Sequence, residues 1–228
     1  MAVDAVIFDW GGTLTPWHTV DHVALWRDVC AGHFQEQEIS ERTASAIRAA
    51  ESELWIAAER EHRSATMDHV FERAGVTPTA EFLASYFEAW EPHTLTDPDA
   101  PELLRRLRAD GIKIGVLSNT MWPRDVHQQF FVRDGIDGLI DGAVYSSEID
   151  WTKPHPEAFR AAMAAIGVTD PASCVFVGDR PFDDIFGARR LGMRTVFIPH
   201  SNLPAHDGGV PDAVITRLAD LPAVLDQW

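Results

Sequence analysis

The chain has little lysine, little cysteine and no long apolar run. Only two of its 19 basic residues are lysines, Lys113 and Lys153. The two cysteines, Cys30 and Cys174, lie far apart in apolar surroundings, which predicts buried reduced thiols and argues against a disulfide framework or a zinc site. No stretch stays apolar over the roughly 20 residues that span a membrane, and no signal-peptide pattern is present. We therefore expect a cytoplasmic protein without a membrane partner.

Positive charge is also scarce in the chain as a whole. The 35 acidic residues outnumber the 19 basic ones and give a formal net charge of −16 at pH 7. A protein of this sign repels the phosphate backbone, so we expect no nucleic-acid partner. A small phosphorylated ligand is still allowed, because a bound metal ion or a local cation can reverse the field inside one pocket.

Short apolar runs recur along the 228 residues of the chain. They are continuous and rich in β-branched and aromatic residues, which is typical of strands buried on both faces. Six such runs predict strands at residues 5–8, 112–117, 143–145, 174–177, 195–198 and 213–215. Helical patterns at residues 101–109, 156–165 and 183–191 lie between them, each with a glycine just past its end. The alternation predicts an α/β fold with a Rossmann-like, doubly wound parallel sheet as its core.

The interval between the first two strands breaks this alternation. Residues 16–92 contain no convincing strand but many helix formers, with aromatic residues spread among polar ones. We predict three to five helices that form an inserted all-helical cap domain over residues 16–92, bounded by Pro16 and Pro92. Residues 1–15 and 93–228 then make up the α/β core domain. Such a layout also predicts opening and closing of the cap about hinges near residues 15–16 and 92–93.

Polar side chains follow the predicted strands at the points where the strands end. Asp9 comes directly after the first strand, and the glycines after it would let a bound anion approach the main chain closely. The polar residues after the later strands are Ser118, Asn119, Lys153, Asp179 and Asp184. Because ligands of open parallel sheets bind beyond the carboxyl ends of the strands, we expect these side chains to share one site.

The same residues fall into four motifs that resemble those of the haloacid dehalogenase superfamily, a large group that consists mainly of phosphatases. The first is the DWGGTL sequence at residues 9–14, and the second is SN at residues 118–119. The third is KPHP at residues 153–156, and the fourth is VGDR at residues 177–180, followed by two aspartates. All four occur in the family's order, and an insertion after the first motif resembles the family's helical cap of the first type. The resemblance implies a Mg²⁺-dependent phosphatase that acts on a small phosphate ester through an aspartyl-phosphate intermediate.

The resemblance also implies a role for each motif residue. Asp9 would be the nucleophile, Ser118 would donate to a phosphate oxygen, and Lys153 would bridge the phosphate and Asp9. The implied phosphate-binding residues are Trp10, Gly11, Ser118, Asn119 and Lys153. The implied Mg²⁺ ligands are Asp9, the main-chain carbonyl of Gly11, Asp179, and Asp184 either directly or through water. Two simpler interpretations stay open: Ser118 could only cap a turn, and Asp183 could be a helix N-cap.

Gly11 departs from the family's pattern. In the family's phosphatases, an acid two residues after the nucleophile protonates the leaving oxygen and then activates water, and such help is typically worth about 10²–10⁴-fold. One explanation is a substitute acid or base from the cap; the candidates are His18 and His22, with His33, His62 and His69 further along. A second explanation is a substrate whose leaving group needs little protonation.

Two further explanations would change the reaction. Carbon-centred chemistry of sister families is one of them, but Schiff-base cleavage of a phosphonate needs a cap lysine and residues 16–92 contain none. Dehalogenation works without a metal ion and is not accompanied by a metal motif such as Gly178-Asp179. The last explanation is a phosphate-binding protein that has lost turnover. A histidine or acid facing Asp9 would favour an enzyme, whereas an apolar plug would favour binding only.

Two groups of side chains allow alternative interpretations of the substrate site. Trp10, Trp17 and Trp122 could line an apolar pocket, or they could pack the cap against the core. Arg180 and Arg124 could bind a second anionic group, or they could form surface salt bridges.

Overall fold

The computed structural model describes residues 3–199 and 209–228. Their six strands form one parallel sheet in the order β3-β2-β1-β4-β5-β6. The strands are β1 Ala5–Phe8, β2 Lys113–Ser118, β3 Gly142–Tyr145, β4 Cys174–Gly178, β5 Arg194–Phe197 and β6 Ala213–Val214. Each lies within one residue of its predicted bounds, and the Rossmann-like α/β core is confirmed.

The central strand β1 is buried on both faces, as its unbroken apolar sequence predicts. Alternate side chains point to opposite faces of the sheet, so Val6 and Phe8 belong to one core cluster while Ala5 and Ile7 belong to another. At its last residue, Phe8 pairs with Val116 of β2 on one side and with Val177 of β4 on the other. The residues after β1 and β4 are therefore brought together at the middle of the sheet edge.

Four helices lie within residues 16–92, which agrees with the predicted number of three to five. They are α1 His22–His33, α2 Gln37–Glu61, α3 Met67–Ala74 and α4 Ala80–Trp90, and a 3₁₀ turn at Glu91–His93 follows. We call residues 22–93 the helical insert. It has an apolar core of its own, in which Trp26 stacks on Tyr86 with ring centroids 4.2 Å apart. The division of the chain into domains at residues 15/16 and 92/93 stays a prediction.

The remaining helices cover the two faces of the sheet. They are α5 Ala100–Ala109, α6 Arg124–Arg133, α7 Pro156–Ala165, α8 Gly187–Leu191 and α9 Leu221–Leu225. The helix α6 was not predicted from the sequence. A single helix over residues 183–191 is wrong, because a wider π-helical turn at Pro181–Phe186 precedes α8. Among the described residues, no helix is both long and apolar enough to cross a membrane.

Candidate functional site

The candidate site lies where β1, β2 and β4 end. The main-chain nitrogen of Asp9 donates to the carbonyl of Val177 at 2.9 Å, which holds the end of β1 against β4. Ser118 is the last residue of β2, and Asp179 directly follows β4. All three side chains are buried although they are polar. Burial of polar groups is costly, so their grouping at one sheet edge indicates a site instead of a packing accident.

Lys153 joins two of the predicted site carboxylates. Its ammonium group donates to Asp9 Oδ1 at 2.6 Å and to Asp184 Oδ1 at 2.7 Å, and only 2% of the residue is exposed. Burial alone would lower the pKa of Lys153, but the charges of Asp184 and Asp9 outweigh burial and raise this pKa above its usual range. Lys153 is therefore a fixed cation beside Asp9.

The side chain of Asn119 holds Lys153 in position. Its Oδ1 accepts from the main-chain nitrogen of Lys153 at 2.8 Å, and its Nδ2 donates to the carbonyl of the same residue at 3.0 Å. The peptide bond that follows, to Pro154, is cis. The amide of Asn119 is thus occupied by the loop after β3, and any contact of Asn119 with a phosphate would come from its main chain.

Three buried carboxylates face one another in the site. Oxygen atoms of Asp9, Asp179 and Asp184 all lie within 4.8 Å of one another. Burial raises the pKa of Asp184 to about 6, with a further contribution from the charge of Asp9, while Lys153 opposes the rise. The donor set is made of hard oxygen atoms with excess negative charge, which is what Mg²⁺ prefers.

The main chain beside these carboxylates leaves no spare room. A Cβ atom on Gly12, whose φ is +94°, would lie 2.5 Å from Asp179 Oδ2. A Cβ atom on Gly178 would lie 2.4 Å from Asp184 Oδ2. Glycine at these two positions lets the backbone approach the carboxylates closely. In contrast, a Cβ atom on Gly11 would meet nothing within 4 Å.

Arg180 and Arg124, for which the sequence allowed either anion binding or a salt bridge, lie in different places. Arg180 lines the site cavity and pairs with Asp183 at 3.4 Å, so Asp183 is an ion-pair partner and caps no helix. Burial would lower the pKa of Arg180, but the nearby aspartates, Asp9 first among them, raise it. Arg124 donates to Glu148 at 2.8 Å and to the carbonyl of Ala143 at 3.0 Å, which supports the salt-bridge interpretation.

A cavity of about 520 Å³ extends from Asp9, Ser118 and Lys153 to the helical insert. His18 and His22 both line it, so both candidate substitute acids share a cavity with Asp9. The other three histidine candidates are engaged elsewhere. His33 contacts Ser85 Oγ at 3.0 Å, the ring of His69 completes the capping box of α3, and His62 lies near Phe182.

Several residues of the insert that line the cavity were not predicted from the sequence. Glu51 is buried and accepts hydrogen bonds from Trp26 Nε1 at 3.2 Å and from Arg48 at 3.3 Å, and His22 Nδ1 lies 3.6 Å from it. Arg48, Glu51 and Trp55 are spaced three and four residues apart on α2, which places them on one helix face. This spacing is the feature of the sequence that could have predicted a shared face for the three residues. His93, at the end of the insert, also lines the cavity.

Trp122 combines the two roles that the sequence allowed for the three tryptophans. Trp10, Trp17 and Trp122 all line the cavity, and Trp17 is 38% exposed. Trp10 and Trp122 also pack edge to face with centroids 6.0 Å apart. Trp122 Nε1 donates to the hydroxyl of Tyr86 in α4 at 3.2 Å, which links the loop after β2 to the insert.

The insert is also held by main-chain hydrogen bonds beside the site. The nitrogen of Thr152 donates to the carbonyl of His62 at 3.0 Å, and the nitrogen of Met67 donates to the carbonyl of Met121 at 2.9 Å. The guanidinium of Arg63 lies 4.1 Å from the ring centroid of Trp151. These contacts fall next to Lys153 and in the loop that follows Ser118, so the insert touches two loops beside the site.

Comparison with known proteins places this geometry in context. Residues 3–192 match the family described as haloacid dehalogenase-like hydrolase. A glyceraldehyde 3-phosphate phosphatase of Methanopyrus kandleri is 32% identical over 162 residues, which is 68% of each chain. A phosphonoacetaldehyde hydrolase of Bordetella pertussis is 26% identical and is covered over 91% of its length, with 98% of this chain aligned.

A solved structure shares the whole fold. The crystal structure of a phosphatase from Thermococcus onnurineus superposes with a TM-score of 0.69 at 21% identity, over 98% of both chains. Identity at this level is informative about the fold alone. The fold likeness and the family match confirm the resemblance that the four sequence motifs carried.

Proposed function

The chain belongs to the haloacid dehalogenase-like hydrolase family, and we propose that this hydrolase is a Mg²⁺-dependent phosphatase of a small phosphate monoester. The observation that carries the proposal is the ion pair between Lys153 and Asp9 at 2.6 Å, inside a cluster of three buried carboxylates. The similarity to a named phosphatase over two thirds of the chain supports the same chemistry. The small phosphorylated substrate would be the partner of the site.

Asp9 acts as the nucleophile in this proposal. One of its carboxylate oxygens attacks phosphorus, the bond from phosphorus to the ester oxygen breaks, and an aspartyl phosphate forms. Lys153 orients Asp9 and cancels charge on the phosphoryl oxygens, and Ser118 donates a hydrogen bond to one of them. Water then attacks the phosphorus atom, which releases inorganic phosphate and restores the carboxylate.

The metal ligands in this proposal are Asp9, Asp179, Asp184 and the main-chain carbonyl of Gly11. A bound Mg²⁺ would neutralise part of the charge that the carboxylates and the phosphoryl group bring together. The three carboxylates, whose oxygen atoms lie within 4.8 Å of one another, support a small hard cation at this place. The helical insert serves as a cap over the site, and His18 or His22 acts as the base that takes the proton of the attacking water, a role that Gly11 cannot fill.

A second candidate follows from Gly11, which has no side chain to protonate a leaving oxygen. The chain could bind a phosphorylated metabolite without turning it over. The two histidines in the cavity favour the enzyme, because an apolar plug over Asp9 would be expected of a binding protein alone. Schiff-base cleavage of a phosphonate is not supported, because the insert has no lysine.

The decisive experiment is phosphate release from a panel of phosphorylated metabolites and one activated aryl phosphate, with and without Mg²⁺. We expect Mg²⁺-dependent release that Asp9→Asn abolishes. Asp184→Asn should cost at least 10²-fold, whereas its neighbour Asp183→Asn, which lies outside the carboxylate cluster, should cost less than 10-fold. Absence of release from every ester, combined with tight binding of phosphate, would favour the binding protein.

A further inference from the structure

The cavity above Asp9 is larger than a small phosphate ester requires. Its volume of about 520 Å³ falls in the range of pockets that bury drug-sized ligands, roughly 300–1,000 Å³. One end contains Asp9, Ser118 and Lys153, the residues of the proposed phosphate site. The rest of the volume extends under the helical insert and is available to the group that the phosphate is attached to.

Aromatic rings form the wall of that larger part. We call this set the aromatic wall: Trp17, Trp55, Tyr86, Trp90 and Trp122. Trp90 and Trp122 meet at 5.2 Å and 72°, and the hydrogen bond from Trp122 to Tyr86 fixes the orientation of both rings. Such rings favour a flat π system next to them, through stacked or edge-to-face contact. The wall therefore suits an aromatic group better than a short polar chain.

Both arginines that line the cavity, Arg48 and Arg180, are already paired with carboxylates. Arg48 is paired with Glu51 at 3.3 Å and also donates to Ser52. Glu51 has two further neighbours in Trp26 and His22, and Glu59 adds another carboxylate to the lining. A second anionic group on the substrate would meet these carboxylates and would have to compete with them for the arginines, which disfavours it. The lining thus favours an aromatic occupant that carries no further negative charge.

The lack of a side-chain acid at Gly11 also favours an aryl leaving group. Without an acid at this position, the ester oxygen departs as an anion unless another group protonates it. A phenolic oxygen has a pKa of about 10, whereas an alkyl alcohol is nearly as weak an acid as water, at about 15.7. An aryl oxide therefore leaves far more readily than an alkoxide, because the transition state of phosphoryl transfer places negative charge on the leaving oxygen.

We propose that the substrate is an aryl phosphate monoester without a second anionic group, with its ring against the aromatic wall. This inference rests on the proposed phosphatase function. Asp9 displaces the aryl oxide, whose oxygen keeps the electron pair of the broken P–O bond and takes a proton from solvent afterwards. In the second step, water forms the new P–O bond and the Asp9 carboxylate leaves. A carboxylate is a good leaving group, so this step needs no acid.

A matched pair of substrates tests the inference. Phenyl phosphate and benzyl phosphate have similar size and shape, but only the first releases a phenolic oxygen. We expect the wild type to prefer phenyl phosphate by at least about 10²-fold in kcat/KM, because half of the difference in leaving-group acidity would already give that factor. Gly11→Asp should then raise the rate on benzyl phosphate by about 10²–10⁴-fold and change phenyl phosphate much less.

Two further variants complete the design. Gly11→Ala adds a side chain at the same open position without an acid, and it should leave the preference for phenyl phosphate intact. Trp90→Leu removes one ring of the aromatic wall, and it should raise KM for phenyl phosphate about 2–10-fold more than for acetyl phosphate, which is activated but has no ring.

The outcomes separate the inference from the proposed function. Phosphate release that depends on Asp9 but is similar for the phenyl and benzyl esters would overturn the aryl substrate and leave the phosphatase standing. Equal losses of Trp90→Leu on phenyl and acetyl phosphate would overturn the role of the aromatic wall. No release from any of the three compounds would refute the phosphatase and the inference together.

Discussion

Substitution of Gly12 by alanine should damage the carboxylate cluster from the backbone side. The φ of Gly12 is +94°, a conformation that costs an L-residue about 1–2 kcal/mol. The added Cβ would also lie 2.5 Å from Asp179 Oδ2 and 2.6 Å from its Cγ. Asp179 is completely buried, so its carboxylate has no solvent to move into. Strain and displacement together should cost about 3 kcal/mol of unfolding free energy.

Thermal unfolding and Mg²⁺ titration by calorimetry measure the two consequences. A loss of about 3 kcal/mol corresponds to a fall in Tm of about 6–12 °C in a protein of this size. Mg²⁺ affinity should fall at least 10-fold, because Asp179 is a proposed ligand. Gly11→Ala is the matched control: it lies one residue earlier, and its Cβ would meet nothing within 4 Å. A Gly12→Ala protein with wild-type Tm and Mg²⁺ affinity would refute the reasoning.

Three other predictions concern stability. Lys153→Met leaves two buried carboxylates facing each other and should lower the free energy of unfolding by about 3–5 kcal/mol, measured with urea in the absence of Mg²⁺. The control Lys113→Met, at an exposed ion pair, should lower it by less than about 1 kcal/mol. Similar losses for both variants would contradict this prediction. Burial lowers the pKa of His127 to about 3, so the stability from its neutral form is complete above pH 6.5 and lost as pH falls towards 3. Relative to the wild type, the free energy of unfolding of His127→Phe should rise by about 2 kcal/mol as the pH falls from 7 to 5. Parallel curves of stability against pH for the two proteins would exclude the effect. Thr66→Ala removes the capping box of α3 and should cost about 1 kcal/mol in the same assay; no change would show that His69 alone maintains the cap.

Local sequence patterns predicted most of the core because the responsible forces act between neighbours in the chain. Continuous apolar runs such as residues 174–177, short and rich in β-branched and aromatic residues, are typical of strands buried on both faces. Pro156 begins a helix, and Gly167 follows its end, so the bounds of α7 were predicted at both ends. The turn at Pro181–Phe186 was missed because its wider form depends on contacts of Asp184 with Arg180 and Lys153, not on propensity.

Some site residues could also be predicted from local sequence patterns, whereas others depend on contacts between distant residues. Asp9, Ser118 and Asp179 were predictable because each follows a recognisable strand, and parallel strands carry such residues to one edge. Phosphate binding by Asn119 stays a prediction, and the structure adds that its side-chain amide holds Lys153, a contact between residues 34 positions apart. No periodicity in the sequence predicts a contact of that kind.

The sequence by itself determined the alternation of strands and helices, the order of the four motifs, and the glycine where an acid was expected. Only the tertiary structure decided which residues of the insert face Asp9. Arg48, Glu51 and Trp55 share a helix face in any helix, but the packing of α2 against α1 and over the strand ends turns that face into a cavity wall. Helix packing depends on side chains far apart in the chain, so the volume and the aromatic character of the cavity arise only when the insert and the sheet are assembled.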